Sequence, residues 1–332
     1  MKLDGEKGVV HHFLLDCQVR QFSKHTMVSY RHHLGVVVFL LGKLCNVSDL
    51  EQVTVVHLRQ CVQHLMTNAI ERPKGGHPLE NGSTLSIASI RGYVRVWKAF
   101  FNWCYQEELI EKNPVDRLSL PKPTKHVKPT FTPEHIERML ASCDLSTDMG
   151  FRDYVILLLL LDTGIRLAEI SSLRVADVHD TYIKVFGKGR KEREVGLHPE
   201  VAKLLWKYIH KHRHPTDPNE AALFIGYFRG SGKPLGYEGV KELLSRIQAD
   251  CGLQDIQLSP HVFRHTFAKM YLEQGGDLFK LSREMGHSDV QITKLYLEDF
   301  TSTEARRDHP SFSPIGRIHL RKQQKKRKKT QE

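Results

Sequence analysis

The chain has 332 residues, six cysteines and a formal net charge of +11. This length exceeds that of a typical single hydrophobic core, so we expect two domains. The cysteines show neither close pairing nor the spacing of metal ligands, which argues against a disulfide framework and is typical of a reducing compartment. Since no signal sequence or membrane-spanning apolar run is found, we expect a cytoplasmic protein without a membrane partner.

Helical spacing of apolar residues extends from Gly8 to about Leu109. The clearest stripe consists of Ile87, Ile90, Val94, Trp97, Phe101 and Cys104. Arg91, Arg95 and Lys98 share another face of this predicted helix. That face fits a solvated helix exterior, unless a second domain carries phosphate chemistry, which would favour a binding surface.

Prolines and lysines replace the helical pattern at residues 119–130, which we predict to be a linker. Lys122 and Lys125 lie in this segment and are candidate contacts to a phosphate backbone. A helix is predicted to resume at Thr132, because a hydroxyl cap is followed there by a proline and a glutamate.

The second half of the chain combines helices with one predicted hairpin. Helices are predicted up to Leu161 and from Leu167, followed by two strands, 182–186 and 192–197, around a glycine-rich turn. Further helices are predicted at about 199–212, 237–250, 261–274, 277–285 and 289–297. The fold class is therefore predicted to be mainly α with a small β-sheet (α+β).

The C-terminal tail carries most of the net charge. Residues 317–332 hold eight lysines and arginines against one glutamate, which gives +7 and leaves +4 for the rest of the chain. This composition is typical of a disordered segment, and contact with phosphates is a second interpretation. Net charge alone therefore does not identify a nucleic-acid partner.

Arg166 stands where an apolar run meets the start of a helix. In one interpretation it is a buried arginine paired with Glu169, three residues further on. In the other, Glu169 fixes the guanidinium so that its free side binds a phosphate.

His261 and Arg264 are three residues apart on a helix that a proline opens, so we expect them on one face. An imidazole and a guanidinium so placed can act on one phosphoryl group. His261 and His265 also have the spacing of a zinc-binding helix, but the glutamate of such a motif is missing, and we expect no metal.

Three further candidates each have an ordinary structural interpretation. Lys188, between two glycines, is either an exposed turn lysine or a mobile proton donor, and its surroundings lack the spacing of an ATP-binding P-loop. His287 fits a helix cap, and Tyr296 fits a ring packed on an amphipathic helix. Together with the two arginines and His261, however, they are the groups needed to break a phosphodiester.

Three segments carry a resemblance to a known family: TGIRLAEISSLRVADV at 163–178, VFGKGRKEREV at 185–195, and HVFRHTFAKMYLEQGGDLFKLSREMGHSDVQITKLYL at 261–297. In order and spacing they resemble the motifs of the tyrosine recombinases, the phage integrase family. The resemblance implies that Arg166 and Arg264 clamp the scissile phosphate, with Glu169 as a supporting acid and His287 as a hydrogen-bond donor.

The resemblance also implies the nucleophile and the proton transfers. Tyr296 would attack phosphorus to form a 3′-phosphotyrosyl bond, His261 would accept its proton, and Lys188 would protonate the departing 5′ oxygen. No cofactor is implied, because the covalent bond conserves the energy needed for rejoining.

The same resemblance implies a domain organisation. Residues 1–118 would form a helical, SAM-like core-binding domain, 131–305 the catalytic domain, and 306–332 a basic tail, with 119–130 as the linker. The two domains would form a clamp on DNA, which makes Arg91, Arg95 and Lys98 candidate DNA contacts.

The implied function is site-specific recombination of a mobile element. The partner would be double-stranded DNA with specific sites, bound by a homotetramer, with an accessory protein as an optional partner. Two alternatives remain open from the residues: a type IB topoisomerase-like relaxing enzyme, and a catalytically silent DNA-binding regulator.

Overall fold

The computed structural model describes residues 1–5, 8–67, 85–123, 128–187, 192–227 and 232–286. The chain divides into two compact units, Met1–His126 and Val127–Glu332. The described residues are mostly helical and include one two-stranded sheet, which confirms the predicted fold class. None of the described helices combines the length and apolar character needed to cross a bilayer.

The first unit is built from helices around one apolar core. These helices are α1 (Val9–Val19), α2 (Lys24–Cys45), α3 (Val55–Thr67) and α4 (Ile87–Gln106), with a short 3-10 helix at Leu50–Gln52. The predicted stripe of α4 is buried from Ile90 to Cys104, and only Ile87 is partly exposed. The Trp97 indole N–H donates a hydrogen bond to the His33 carbonyl of α2 at 3.0 Å. The one polar group of this large buried side chain therefore has a hydrogen-bond partner.

The second unit has a central buried helix. Its elements are α5 (Pro133–Ala141), α6 (Asp148–Thr163), α7 (Leu167–Ser172), β1 (Tyr182–Phe186), β2 (Glu192–Gly196), α8 (Pro199–Lys207), α9 (Tyr237–Cys251), α10 (Pro260–Glu273) and α11 (Leu278–Glu284). Because α6 is apolar almost all round, it lies inside the unit, and α10 packs against it. A small apolar cluster of Ala268, Leu272, Leu281 and Met285 holds α11 on α10.

The hairpin is antiparallel, with Tyr182 opposite Gly196 and Phe186 opposite Glu192. Ile183, Val185 and Val195 are buried. Because side chains alternate along a strand, Arg193 shares the inward face of β2 with Val195. This register directs a charged side chain toward the interior of the unit.

The predicted helix at 199–212 differs in its last part. The chain is α-helical to Lys207 and becomes a π-helix at Tyr208–His212. The wider turn keeps Tyr208 fully buried, while the His212 ring stacks on Phe151 at 4.0 Å and contacts the Asp148 carboxylate at 2.9 Å. The predicted helix at 289–297 lies outside the described residues.

Candidate active site

The junction between α6 and α7 places Arg166 at the surface of the second unit. Gly164 ends α6 with a φ of +56°, and a Cβ there would lie 2.5 Å from Cδ1 of Phe267. Glycine is therefore required on both conformational and steric grounds. Arg166 is the next residue but one and occupies the N-cap position of α7, with 42% of its side chain exposed. The interpretation as a buried arginine does not describe this site.

Glu169 holds Arg166 in place through two hydrogen bonds to its carboxylate. Its carboxylate is buried and accepts from the Arg166 backbone N–H at 2.8 Å and from Nη1 of the same residue at 3.0 Å. Burial by itself raises the pKa of the carboxyl, but the hydrogen bonds from Arg193 and Arg166 and their positive charges outweigh it, and the pKa lies below its usual range. The carboxylate is therefore charged at neutral pH.

Arg264 connects two segments that are distant in sequence. It is buried on α10 and donates from Nη1 to the Gly164 carbonyl at 2.7 Å and from Nη2 to the Met285 carbonyl at 2.6 Å. The first acceptor is two residues from Arg166. The structure therefore brings the two predicted arginines to the same junction.

Arg193 is a site residue that the sequence analysis missed. From the inward face of β2 it donates to both carboxylate oxygens of Glu169, at 2.8 and 2.9 Å, and from Nε to the Glu284 carbonyl at 2.8 Å. The signal in the sequence was the alternation of Glu192, Arg193 and Glu194 before Val195, which assigns only position 193 to the buried face of the strand.

Three arginines thus meet the C-terminal end of α11. Arg193, Arg264 and Arg166 donate to three consecutive carbonyls, those of residues 284, 285 and 286. Cations are favourable at this negative end of a helix, and the guanidinium groups satisfy carbonyls that have no partner within the helix. Three guanidinium charges against the one charge of Glu169 leave a surplus of two positive charges, which favours an anionic ligand.

The two histidines of α10 have different environments. His261 is exposed in the first turn of the helix, which Ser259 caps. His265 is half-buried, and burial, with the nearby charges of Lys128, His261 and Arg264, lowers its pKa to about 4. His261 is therefore accessible to a ligand, while His265 is neutral at physiological pH. Across the described ranges, no three His, Cys, Asp or Glu side chains are grouped to hold a metal ion.

Some of the predicted site residues lie outside the described part of the chain. They are Lys188, His287, Tyr296 and Lys125. Glycine 286, which immediately precedes His287, is the last described residue and accepts from Nη2 of Arg166 at 3.2 Å.

The charged face of α4 in the first unit is not uniform. Arg95 is exposed, Lys98 is half-buried, and Arg91 is half-buried and donates to the carbonyl of Pro121. Lys122, the next residue along the chain, is exposed. Arg95 and Lys122 are thus the freest of these residues to meet a ligand, and Arg91 ties the linker segment to α4.

We expect Glu169→Gln to make the folding stability less dependent on pH. Because the folded-state pKa of Glu169 is depressed, its contribution is complete above the usual value of about 4.3 and is lost as the pH falls through the folded-state value. Urea unfolding should show a loss of about 1–3 kcal/mol at pH 7 and a smaller loss below pH 4. The control is Glu200→Gln, since this side chain is 70% exposed. An equal loss at both pH values would contradict the assignment.

One family profile and two related proteins match this chain. The profile described as the phage integrase family matches residues 129–302. The tyrosine recombinase XerD of Staphylococcus haemolyticus is 26% identical over 311 residues, covering 92% of this chain and 98% of that protein. The tyrosine recombinase XerD of Listeria monocytogenes serotype 4b is 30% identical over 217 residues, covering 64% of this chain and 71% of that protein.

A solved structure has a similar fold. The integrase of the Tn1549 transposon, in complex with transposon right end DNA, aligns with a TM-score of 0.68 at 19% identity and covers 91% of this chain and 98% of that one. At this identity the similarity establishes the fold. It extends over both compact units of the chain.

Proposed function

Because the chain belongs to the phage integrase family, we propose that it is a site-specific DNA recombinase that cleaves and rejoins strands through Tyr296. The observation that supports the catalytic assignment best is the convergence of Arg166 and Arg264. One donates to the carbonyl of Gly286 and the other to that of Met285, directly before His287. The surplus of positive charge there suits a phosphodiester, which carries one negative charge and gains more on its oxygens as phosphorus is attacked.

Cleavage transfers the phosphoryl group from a 5′ oxygen to the enzyme. The phenolic oxygen of Tyr296 attacks phosphorus, and its proton passes to His261. The bond from phosphorus to the 5′ oxygen breaks, and Lys188 donates a proton to the departing oxygen. The two arginines neutralise the charge that builds up on the non-bridging oxygens.

Rejoining reverses these steps with a different strand. A 5′ hydroxyl attacks the 3′-phosphotyrosyl bond, and the phenol leaves with a proton. One phosphoester bond is broken and one is formed, so the exchange conserves bond energy.

The first unit serves as the core-binding domain in this proposal. Together with the catalytic unit it grips duplex DNA as a clamp, with residues 119–130 as the connection. Arg95 and Lys122 support this role because they are exposed, whereas Lys98 is half-buried. Lys125 is proposed on sequence alone.

We expect both Arg95→Ala and Arg91→Ala to affect DNA binding, but only Arg91→Ala to affect thermal stability. Arg95→Ala should weaken DNA binding and reduce the salt slope of log K by about 0.9, the effect of one lost phosphate contact, without changing Tm. Arg91→Ala should also lower Tm, because it removes the hydrogen bond to the Pro121 carbonyl. Titrations by fluorescence anisotropy at several salt concentrations and thermal unfolding measure both effects.

The control for these two variants is Arg20→Ala. Arg20 is exposed in the same unit and lies beside Asp16, so its removal changes the net charge without touching α4. An Arg95→Ala variant with an unchanged salt slope would contradict the DNA contact.

The assembly on DNA is part of the proposal. Strand exchange joins two duplexes and needs four cleavage events, so a homotetramer provides one tyrosine for each cleaved strand. The DNA partner is a pair of recombination sites, and an accessory protein would act on the choice of sites. The cytoplasmic location stays a prediction. The fold of the transposon integrase is compatible with a role in a mobile element.

Sequencing of trapped DNA ends tests the function. Cells that express the full chain are lysed in denaturant, covalent protein–DNA adducts are recovered, and the attached ends are sequenced. We expect ends linked through a 3′ phosphate at a few sites, and a modified peptide that contains Tyr296. A 5′ linkage, a different modified residue or the absence of adducts would overturn the proposal.

The same experiment separates the two alternatives. A topoisomerase-like enzyme would give ends scattered over many sequences and would relax plasmids without strand exchange. A silent regulator would bind DNA and give no adduct. Neither alternative is favoured by the family to which the chain belongs.

A further inference from the structure

Arg193 has no role in the reaction described above, although its side chain is only 14% exposed and makes three hydrogen bonds within the site. Its guanidinium reaches two different elements. One edge donates two hydrogen bonds to the Glu169 carboxylate on α7, and Nε donates to the Glu284 carbonyl at the end of α11. A two-pronged bond between a guanidinium and a carboxylate is directional as well as strong.

The carboxylate of Glu169 is saturated by this arrangement. It accepts two hydrogen bonds from Arg193 and two from Arg166, and a carboxylate offers about four acceptor positions. With every position occupied, the carboxylate cannot rotate. The direction in which it holds Nη1 of Arg166 is therefore fixed by Arg193 together with the backbone N–H of Arg166.

The second acceptor of the Arg166 side chain also lies next to Arg193. Nη2 of Arg166 donates to the Gly286 carbonyl, and Arg193 packs directly against this glycine. Gly286 has a φ of +63°, and a Cβ at that position would lie 2.8 Å from Cζ of Arg193. Arg193 therefore lies beside both residues that accept hydrogen bonds from the Arg166 side chain.

We propose that Arg193 is a positioning residue that holds the Arg166 guanidinium in the orientation needed to bind the scissile phosphate. This inference rests on the proposed function of Arg166. Arg193 itself has little surface to offer a ligand, because only 14% of its side chain is exposed and three of its five N–H groups bind Glu169 and Glu284. It acts on the rate of cleavage through Arg166.

The test is a double-mutant comparison of single-turnover cleavage at saturating DNA. We expect Arg193→Gln to slow cleavage by about 10²-fold, the scale of a misplaced catalytic group, with a Kd for DNA within about twofold of the wild type. In an Arg166→Ala background, the same substitution should add less than about threefold, because the group that it positions is gone. A full additional 10²-fold loss there would overturn the proposal.

If Arg193→Gln does not fold, Arg193→Lys serves as the second variant, because lysine keeps the positive charge and the buried aliphatic part of the side chain. Lysine cannot make the three directional bonds, so we expect it to cleave clearly below the wild-type rate, and a wild-type rate would overturn the proposal. Thermal unfolding of each variant confirms that folded protein is compared. If Arg166→Ala alone cleaves normally, the proposed role of Arg166 is wrong, which is a different outcome from failure at Arg193.

Discussion

Replacing Tyr296 with phenylalanine should abolish the covalent protein–DNA adduct and leave DNA affinity within about twofold of the wild type. Phenylalanine keeps the ring but lacks the oxygen that attacks phosphorus, and a step without its nucleophile has no partial substitute. The measurement uses DNA from the trapped sites, prepared as a nicked duplex that releases the short leaving strand, with the adduct detected on a denaturing gel.

Tyr271→Phe is the matched control, because Tyr271 is a partly buried tyrosine of α10 in the same unit. It should form the adduct at a rate close to that of the wild type. Persistence of the adduct in the Tyr296 variant would show that another residue is the nucleophile. Loss of DNA binding in that variant would show that the hydroxyl group also has a role in binding or folding.

Arg166→Ala should reduce single-turnover cleavage by about 10²–10³-fold, the usual effect of removing a preorganised partner of the developing charge. The folding stability should change little, because the side chain is 42% exposed and Glu169 keeps its two bonds from Arg193. Arg166→Lys should recover only part of the rate, since a compact ammonium lacks the planar fork that binds Glu169, the Gly286 carbonyl and a phosphate in fixed directions.

Arg174→Ala controls for charge, because it removes an exposed arginine from the segment just after α7. It should cleave at nearly the wild-type rate.

Arg264→Ala should cleave at least as slowly as Arg166→Ala, but it should also lower Tm, since buried hydrogen bonds to Gly164 and Met285 are lost. A normal rate for Arg166→Ala would assign that residue to structure alone.

Local patterns were enough to predict the elements that carry the site. The stripe on α4 follows from steps of three and four residues, and the pairing of Arg166 with Glu169 follows from their spacing at the start of α7. The hairpin follows from a glycine turn between two alternating segments. In each case the interacting groups are close in sequence.

The partners of Arg264 and Arg193 could not be predicted in this way. Arg264 donates to the carbonyls of Gly164, 100 residues away, and Met285, 21 residues away. Backbone carbonyls carry no signature in a sequence, since every residue has one. Arg193 was overlooked because a charged residue in a charged hairpin is usually exposed, and only its register on β2 indicates otherwise.

The row of three carbonyls at the end of α11 makes the length of this segment important in addition to its side chains. Substitutions at residues 284 and 285 leave their main-chain oxygens in place, so alanine scanning would not detect these bonds. Inserting or deleting one residue between Leu278 and Gly286 would instead turn every following carbonyl by about 100° around the helix axis. Insertions and deletions in this stretch should therefore be selected against, as should changes at the buried Leu281 and Met285 and at Gly286.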